Sequence, residues 1–143
     1  MAPAIREARA EDAGAIAALI AELGFAATPG QVAERIALST RLGQPPLVAD
    51  EDGAVIGCLT WNLMPVLHRD TMVGRISMLV VTAARRSRGI GARLVGALET
   101  RLAALGCTLI EVTSNERLTD AHRFYERLGY ERTSLRFGKT IGG

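Results

Sequence analysis

Apolar positions switch along the chain between every second residue and every third or fourth, and this mixture predicts an α/β domain. Ile5-Arg6-Glu7-Ala8-Arg9 reads as a short first strand, followed by a helix over Glu11 to Leu23. Ile16, Ile20 and Leu23 share one stripe of that helix, and Gly24 stops it. Thr28-Pro29-Gly30-Gln31 forms a capping box with proline at the first helical position. It opens a second helix running to about Leu42, which Gln44-Pro45-Pro46 breaks.

Leu47 to Asp50 and Ala54 to Asn62 flank Glu51-Asp52-Gly53, the signature of a hairpin with an Asp-Gly turn. Pro65 to Asp70 is a loop. Met72 to Val81 is the next strand, and its run Met78-Leu79-Val80-Val81 suits burial on both faces. Ile90, Leu94, Leu98, Leu102 and Leu105 keep helical spacing up to Gly106. Thr108 to Thr113 is predicted as a strand, Thr119 to Leu128 as a helix closed by Gly129, and Tyr130 to Phe137 as a last strand. Gly142-Gly143 is expected to be a loose end.

With 143 residues and no linker or repeat, one domain over 1–143 is expected. Seventeen basic residues against 15 acidic give a net charge of +2, too balanced to favour nucleic acid or an anionic membrane. No uncharged stretch approaches the ~20 residues of a membrane span, and no basic n-region leads into an apolar segment. A cytoplasmic protein is the expectation. Cys58 and Cys107 lie among apolar neighbours outside any metal-ligand or CxxC spacing, and read as small buried hydrophobes.

The chemistry concentrates in Val80-Val81-Thr82-Ala83-Ala84-Arg85-Arg86-Ser87-Arg88-Gly89-Ile90-Gly91-Ala92. Strand, basic turn, Gly-x-Gly and helix follow one another there. Small residues at 89, 91 and 92 leave the first helical N–H groups uncovered, and a helix start carries about half a positive charge. Arg85, Arg86 and Arg88 add donors suited to phosphate. No Gly-Lys-Ser/Thr is present, which excludes a P-loop. Leu94 stands where a dinucleotide fingerprint needs its third glycine. The plain alternative is a tight turn whose glycines serve only helix packing.

Two blocks of residues together resemble a known family. Arg86-x-x-Gly89-x-Gly91 is similar to the acyl-CoA pyrophosphate loop of the GNAT superfamily of N-acetyltransferases. Ala121-His122-Arg123-Phe124-Tyr125-Glu126-Arg127-Leu128-Gly129-Tyr130 resembles the same family's Ala-x-x-Phe/Leu-Tyr-x-x-x-Gly-Phe/Tyr block. The resemblance covers nearly the whole chain. It implies a mostly antiparallel central sheet, splayed at its middle and flanked by about four helices.

It also implies acetyl-CoA as cosubstrate, no metal, and an amine of a small molecule or peptide as acceptor. Backbone groups of Leu79 and Val81 would pair with the pantetheine arm. Amides of Arg86, Ser87, Arg88, Gly89, Ile90, Gly91 and Ala92 would hold the pyrophosphate. Tyr125 would lie near the thioester sulfur, with Phe124 in the core. A homodimer formed through edge strands or the final strand is compatible with the family.

Two positions depart from the family pattern. Leu118 stands where many members have Asn, and the nearest amide is Asn115, which either reaches the cofactor or shapes a turn. Arg75 stands where some members carry a glutamate base early in the central strand. The base is left open among His68, Asp70, Glu111 and water. Ser77 is too weak a base unaided, and His122 reads as a local cap or pairing partner. Trp61 is either core or a wall of the acceptor pocket.

The implied chemistry sets three requirements. An amine of pKa ~10.4 is neutral in about one molecule in a thousand at pH 7, so its proton must be removed. The carbonyl needs an N–H donor, from Val80 or Val81. The leaving thiolate needs a proton, and a phenol of pKa ~10 can supply one to a thiol of ~8.5 at a cost of about 2 kcal/mol.

Overall fold

Most of these rhythms fold as expected in the computed structural model, which describes residues 2–142. Gly143 of the expected loose end lies outside the described residues, and Gly142 is exposed outside any helix or strand. The strands are β1 (Ala4–Glu7), β2 (Leu47–Glu51), β3 (Ala54–Met64), β4 (Val73–Val81) and β5 (Leu109–Val112). They lie side by side in sequence order. Pairing is antiparallel from β1 to β4 and parallel between β4 and β5.

Helices α1 (Ala13–Glu22) and α2 (Pro29–Arg41) cover one face, burying Val48, Cys58 and Val80. Helix α3 (Ile90–Ala104) covers the other, packing Leu94, Leu98 and Leu102 on Leu59, Trp61 and Ile76. Helix α4 (Thr119–Arg127) adds Phe124 to that second core. Trp61 is core: it is buried, and its indole N–H donates to Pro45 O at 2.7 Å.

Local signals explain the boundaries. Thr28 Oγ1 accepts from Gln31 N–H at 3.1 Å while Gln31 Oε1 accepts from Thr28 N–H at 3.0 Å, closing the capping box. Asp52 and Gly53 have φ of 51° and 92°, the left-handed pair that a two-residue hairpin needs.

Several expectations need correction. Helix α1 ends at Glu22, so Leu23 is its cap and 40% exposed, while Ala13, Ile16, Ala17 and Leu19 form the buried stripe. Leu105 likewise lies beyond the last turn of α3 and is 62% exposed, and Val95 joins the core instead. Of Met78 to Val81, only Val80 is fully buried, because β5 does not extend alongside them. Tyr130 to Phe137 forms no strand: among the described residues the segment joins no β-ladder, and Leu135 and Phe137 are 78% and 90% exposed. Alternation alone makes no strand: the edge of β5 is free, but the segment does not hydrogen-bond along it.

Cys58 is fully buried, and burial pushes its thiol up to about 12. Cys107 is only half-buried, contrary to expectation. It sits at the margin where β5 begins, with Sγ 3.1 Å from Met72 O and 3.2 Å from Leu109 O.

An ion cluster ties β1 to the approach of α1. Arg6 gives both terminal nitrogens to buried Asp12 (2.8 and 2.9 Å) and Nε to Asp50 (3.0 Å). Asp12 also accepts Arg9 N–H at 2.7 Å. The Arg6 bonds foremost hold the Asp12 carboxyl below the usual carboxylate range, against the opposing effect of burial. Stability from this lowered group is present above the usual range and is lost as pH falls through and below it. Asp12→Ala leaves Arg6 partly buried beside one carboxylate, so it should cost about 2–4 kcal/mol. It should also flatten the acid limb of a stability-against-pH curve, measured by urea denaturation. An unchanged acid limb would contradict this account.

Candidate active site

β4 and β5 stay paired for only four positions, Val73–Ile76 against Leu109–Val112. Beyond Ile76, β4 keeps β3 as neighbour and parts from β5. Thr82 N–H bonds to Ile56 O at 2.9 Å. By antiparallel alternation, Val80 therefore turns its backbone groups toward β3, and Leu79 and Val81 turn theirs into the gap. Of the two N–H groups considered for polarising a carbonyl, Val81's is the one that faces the opening.

The turn after β4 ends at this gap. Ser87 has φ 65° and Gly89 φ 77°, so two left-handed residues curl the backbone just before α3. Gly89 is the cap of α3, and the first closed bond of the helix is Arg93 N–H to Gly89 O at 3.1 Å. The amides of Ile90, Gly91 and Ala92 precede that bond and have no carbonyl one turn back within the helix. Such a concavity of amides accepts an anion. A Cβ at Gly89 would meet nothing within 4 Å, so the chain leaves open space beside the cap of this helix.

Gly91 plays a different part. A Cβ there would lie 3.3 Å from Phe124 Cζ, so its bareness lets α4 rest on the first turn of α3. That contact places the next residue, Tyr125, on the same side of the molecule as the turn. Tyr125 stands edge-on to Phe124 (centroids 5.1 Å) and to Tyr130 (5.8 Å). Burial raises its pKa above the ordinary phenol value. The phenol is thus protonated at neutral pH, and donating its proton costs more than the ordinary ~1.5-unit gap to a thiol implies.

The turn arginines divide. Arg85 Nε is held by Glu51 at 2.9 Å, so Arg85 is engaged with the hairpin. Arg86 is exposed, with Nε donating to Val81 O at 3.2 Å. Arg88 and Ser87 are exposed. Glu22, at the end of α1, was not singled out from the sequence. Its carboxylate accepts from Thr82 Oγ1 (2.8 Å) and Ala83 N–H (3.0 Å), which pin the start of the turn and hold its pKa low. No local motif signals that role, since the partners lie some 60 residues away.

The remaining candidates scatter. His68 and Asp70 are exposed in the loop before β4, at the opposite end of that strand from the turn. Glu111 is exposed on β5, opposite Arg75 in register. Asn115 Oδ1 accepts from Arg117 N–H at 2.9 Å, and Asn115 O lies 2.9 Å from His122 Nε2. His122 therefore pairs locally, across the turn that leads into α4. Among the described residues no group of three or more His, Cys, Asp or Glu is placed to hold a metal ion. Nor is any helix long and apolar enough to cross a membrane.

A sheet parted beside an open helix N-terminus is the architecture of the acyl-CoA N-acyltransferases. Residues 22–130 match the acetyltransferase (GNAT) family model; the chain belongs to that family and is an N-acetyltransferase. It is 33% identical over 140 residues to the aminoalkylphosphonate N-acetyltransferase of Salmonella typhimurium, covering 96% of this chain and 90% of that one. Among solved structures, it resembles glucosamine-6-phosphate N-acetyltransferase from Arabidopsis thaliana. The TM-score is 0.85 at 20% identity, over 97% of this chain and 98% of that one. The aminoglycoside N-acetyltransferase AAC(6')-Iy, in complex with CoA, gives 0.84 at 18% identity, over 97% and 95%. At that identity these two likenesses show the fold.

Proposed function

We propose that the chain, as one domain over 1–143 in the cytoplasm, moves an acetyl group from acetyl-CoA to a small primary amine within a ternary complex. The observation that carries this is the junction of the β4–β5 gap with the open amides of the turn. The amides of Arg86 to Ala92 take the pyrophosphate, with Arg86 and Arg88 beside it. Leu79 and Val81 take the pantetheine arm, Val80 shapes the strand between them, and Asn115 borders the arm from the end of β5. The amine nitrogen attacks the thioester carbonyl carbon while Val81 N–H takes up charge on the oxygen. The C–S bond breaks, and Tyr125 gives the thiolate its proton. The ammonium proton leaves through water or a carboxylate, and no metal enters the step.

The name of the Salmonella relative supports a short acceptor that carries an acidic group as well as its amine. The exposed apolar residues Leu135, Phe137 and Ile141, together with the free edge of β5, support a homodimer.

CoA release should be followed with a panel of small amines, N-terminal peptides and lysine peptides. Turnover on small amines is the expected result. Turnover on peptides alone would replace this reading with protein acetylation. CoA binding with no turnover on any acceptor would replace it with an acyl-CoA sensor.

A further inference from the structure

Four residues before Leu79, about 13 Å along the strand, β4 carries Arg75. A bulge determines where that side chain lies. Thr60 pairs with Met78 but Trp61 pairs with Ile76, leaving Ser77 as an extra residue. Leu79 and Val81 pack with α3, and past the bulge so does Ile76. Arg75 therefore falls on the opposite face, the one that α1 and α2 cover only farther along β4. Its neighbours on that open stretch are polar: Asn62 and Glu111 in register, Thr113, and the pair Thr60 Oγ1 and Ser77 Oγ at 2.7 Å.

Strand arginines number two in this sheet, and they differ sharply. Arg6 is clamped by two carboxylates. Arg75 is half-buried, yet among the described residues no carboxylate oxygen lies within 4.0 Å of it, and it makes one long bond, 3.4 Å, to Thr113 Oγ1. Glu111, beside it in register, is exposed and does not close onto it. A guanidinium left with spare donors on a polar floor is suited to an incoming oxyanion.

We infer that Arg75 binds the acidic group of the acceptor, so that the site selects short amines bearing a phosphonate or carboxylate over plain alkylamines. This rests on the acceptor class proposed above. With the anion seated on Arg75, the amine at the other end of a short linker points along β4 toward Leu79 and the thioester. The same guanidinium disfavours a second cationic group on the acceptor.

The test compares 2-aminoethylphosphonate, β-alanine and propylamine at saturating acetyl-CoA, in wild type, Arg75→Gln and Arg75→Lys. The ratio of kcat/KM for the preferred acid to that for propylamine should fall by about 10- to 100-fold in Arg75→Gln, chiefly through KM, as expected for a lost charge-assisted bond. Arg75→Lys should restore part of it. An unchanged ratio in Arg75→Gln overturns the assignment while leaving acetyl transfer to small amines standing. Independently of turnover, ethylphosphonate and propionate are titrated into the CoA-loaded protein by calorimetry. One of them should bind wild type and lose that binding in Arg75→Gln. If neither binds wild type, or binding survives the substitution, the assignment fails; if binding behaves as expected but none of the amines is acetylated, the transfer reading fails instead.

Discussion

Gly89→Glu should lower CoA affinity by about 100-fold or more while the protein stays folded. Gly89 caps α3 with φ 77°, and the space in front of it is empty of protein atoms. A Cβ there meets no heavy atom within 4 Å, and the side chain brings bulk and a negative charge to the start of α3, where the pyrophosphate is proposed to sit. The fold pays about 1–2 kcal/mol for a left-handed L residue. That cost is partly offset, because an acidic group at a helix start is favourable. The net cost to folding is thus small beside the expected loss of binding. Gly89→Asn is the matched control, since asparagine adopts this conformation more readily and carries no charge. Its loss should be much smaller. Calorimetry with CoA and with pantetheine separates the phosphate contribution, because only CoA should suffer strongly. A folded Gly89→Glu protein with wild-type affinity for CoA would refute the pyrophosphate assignment.

Tyr125→Phe should cut kcat by about 10²- to 10⁴-fold, the usual worth of a positioned proton donor, with little change in CoA affinity. The substitution removes one oxygen and keeps the ring that packs edge-on to Phe124 and Tyr130. Packing, and with it thermal stability, should hardly move. Burial raises the phenol's pKa, so in the wild type its deprotonation should not limit turnover until the pH exceeds the ordinary phenol value. The amine's own ionisation governs the rate at lower pH. Stopped-flow measurement of CoA release across pH 6 to ~10 would test both points. Equal turnover by the two proteins at every pH would remove the proton-donor role.

Features set by near neighbours in the chain were legible early. The Thr28–Gln31 box, the Asp52–Gly53 turn and the Gly89–Gly91 opening of α3 are each written within a few residues, and each stands where it was expected. Both motif blocks that carry the family resemblance are of this kind. Features made by distant partners were not legible. Glu22 pins the turn from the end of another helix, buried Asp12 is paired with Arg6 of β1, and Arg85 is drawn from the phosphate-facing set by Glu51. Gly91 was read for its uncovered amide, and its contact with Phe124 appears only once α4 has docked. The segment from Tyr130 to Phe137 is the converse case, an alternating pattern that does not pair with the free edge of β5.

By itself, then, the chain's order of residues determined the helices, the hairpin and the chemistry of the turn, since caps, glycines and periodicity act over one or two helical turns. Tertiary structure decided where β4 leaves β5, which backbone amide looks into the gap, and on which face Arg75 emerges. Those depend on pairing register, and a single extra residue at Ser77 reverses the facing of every position on one side of it.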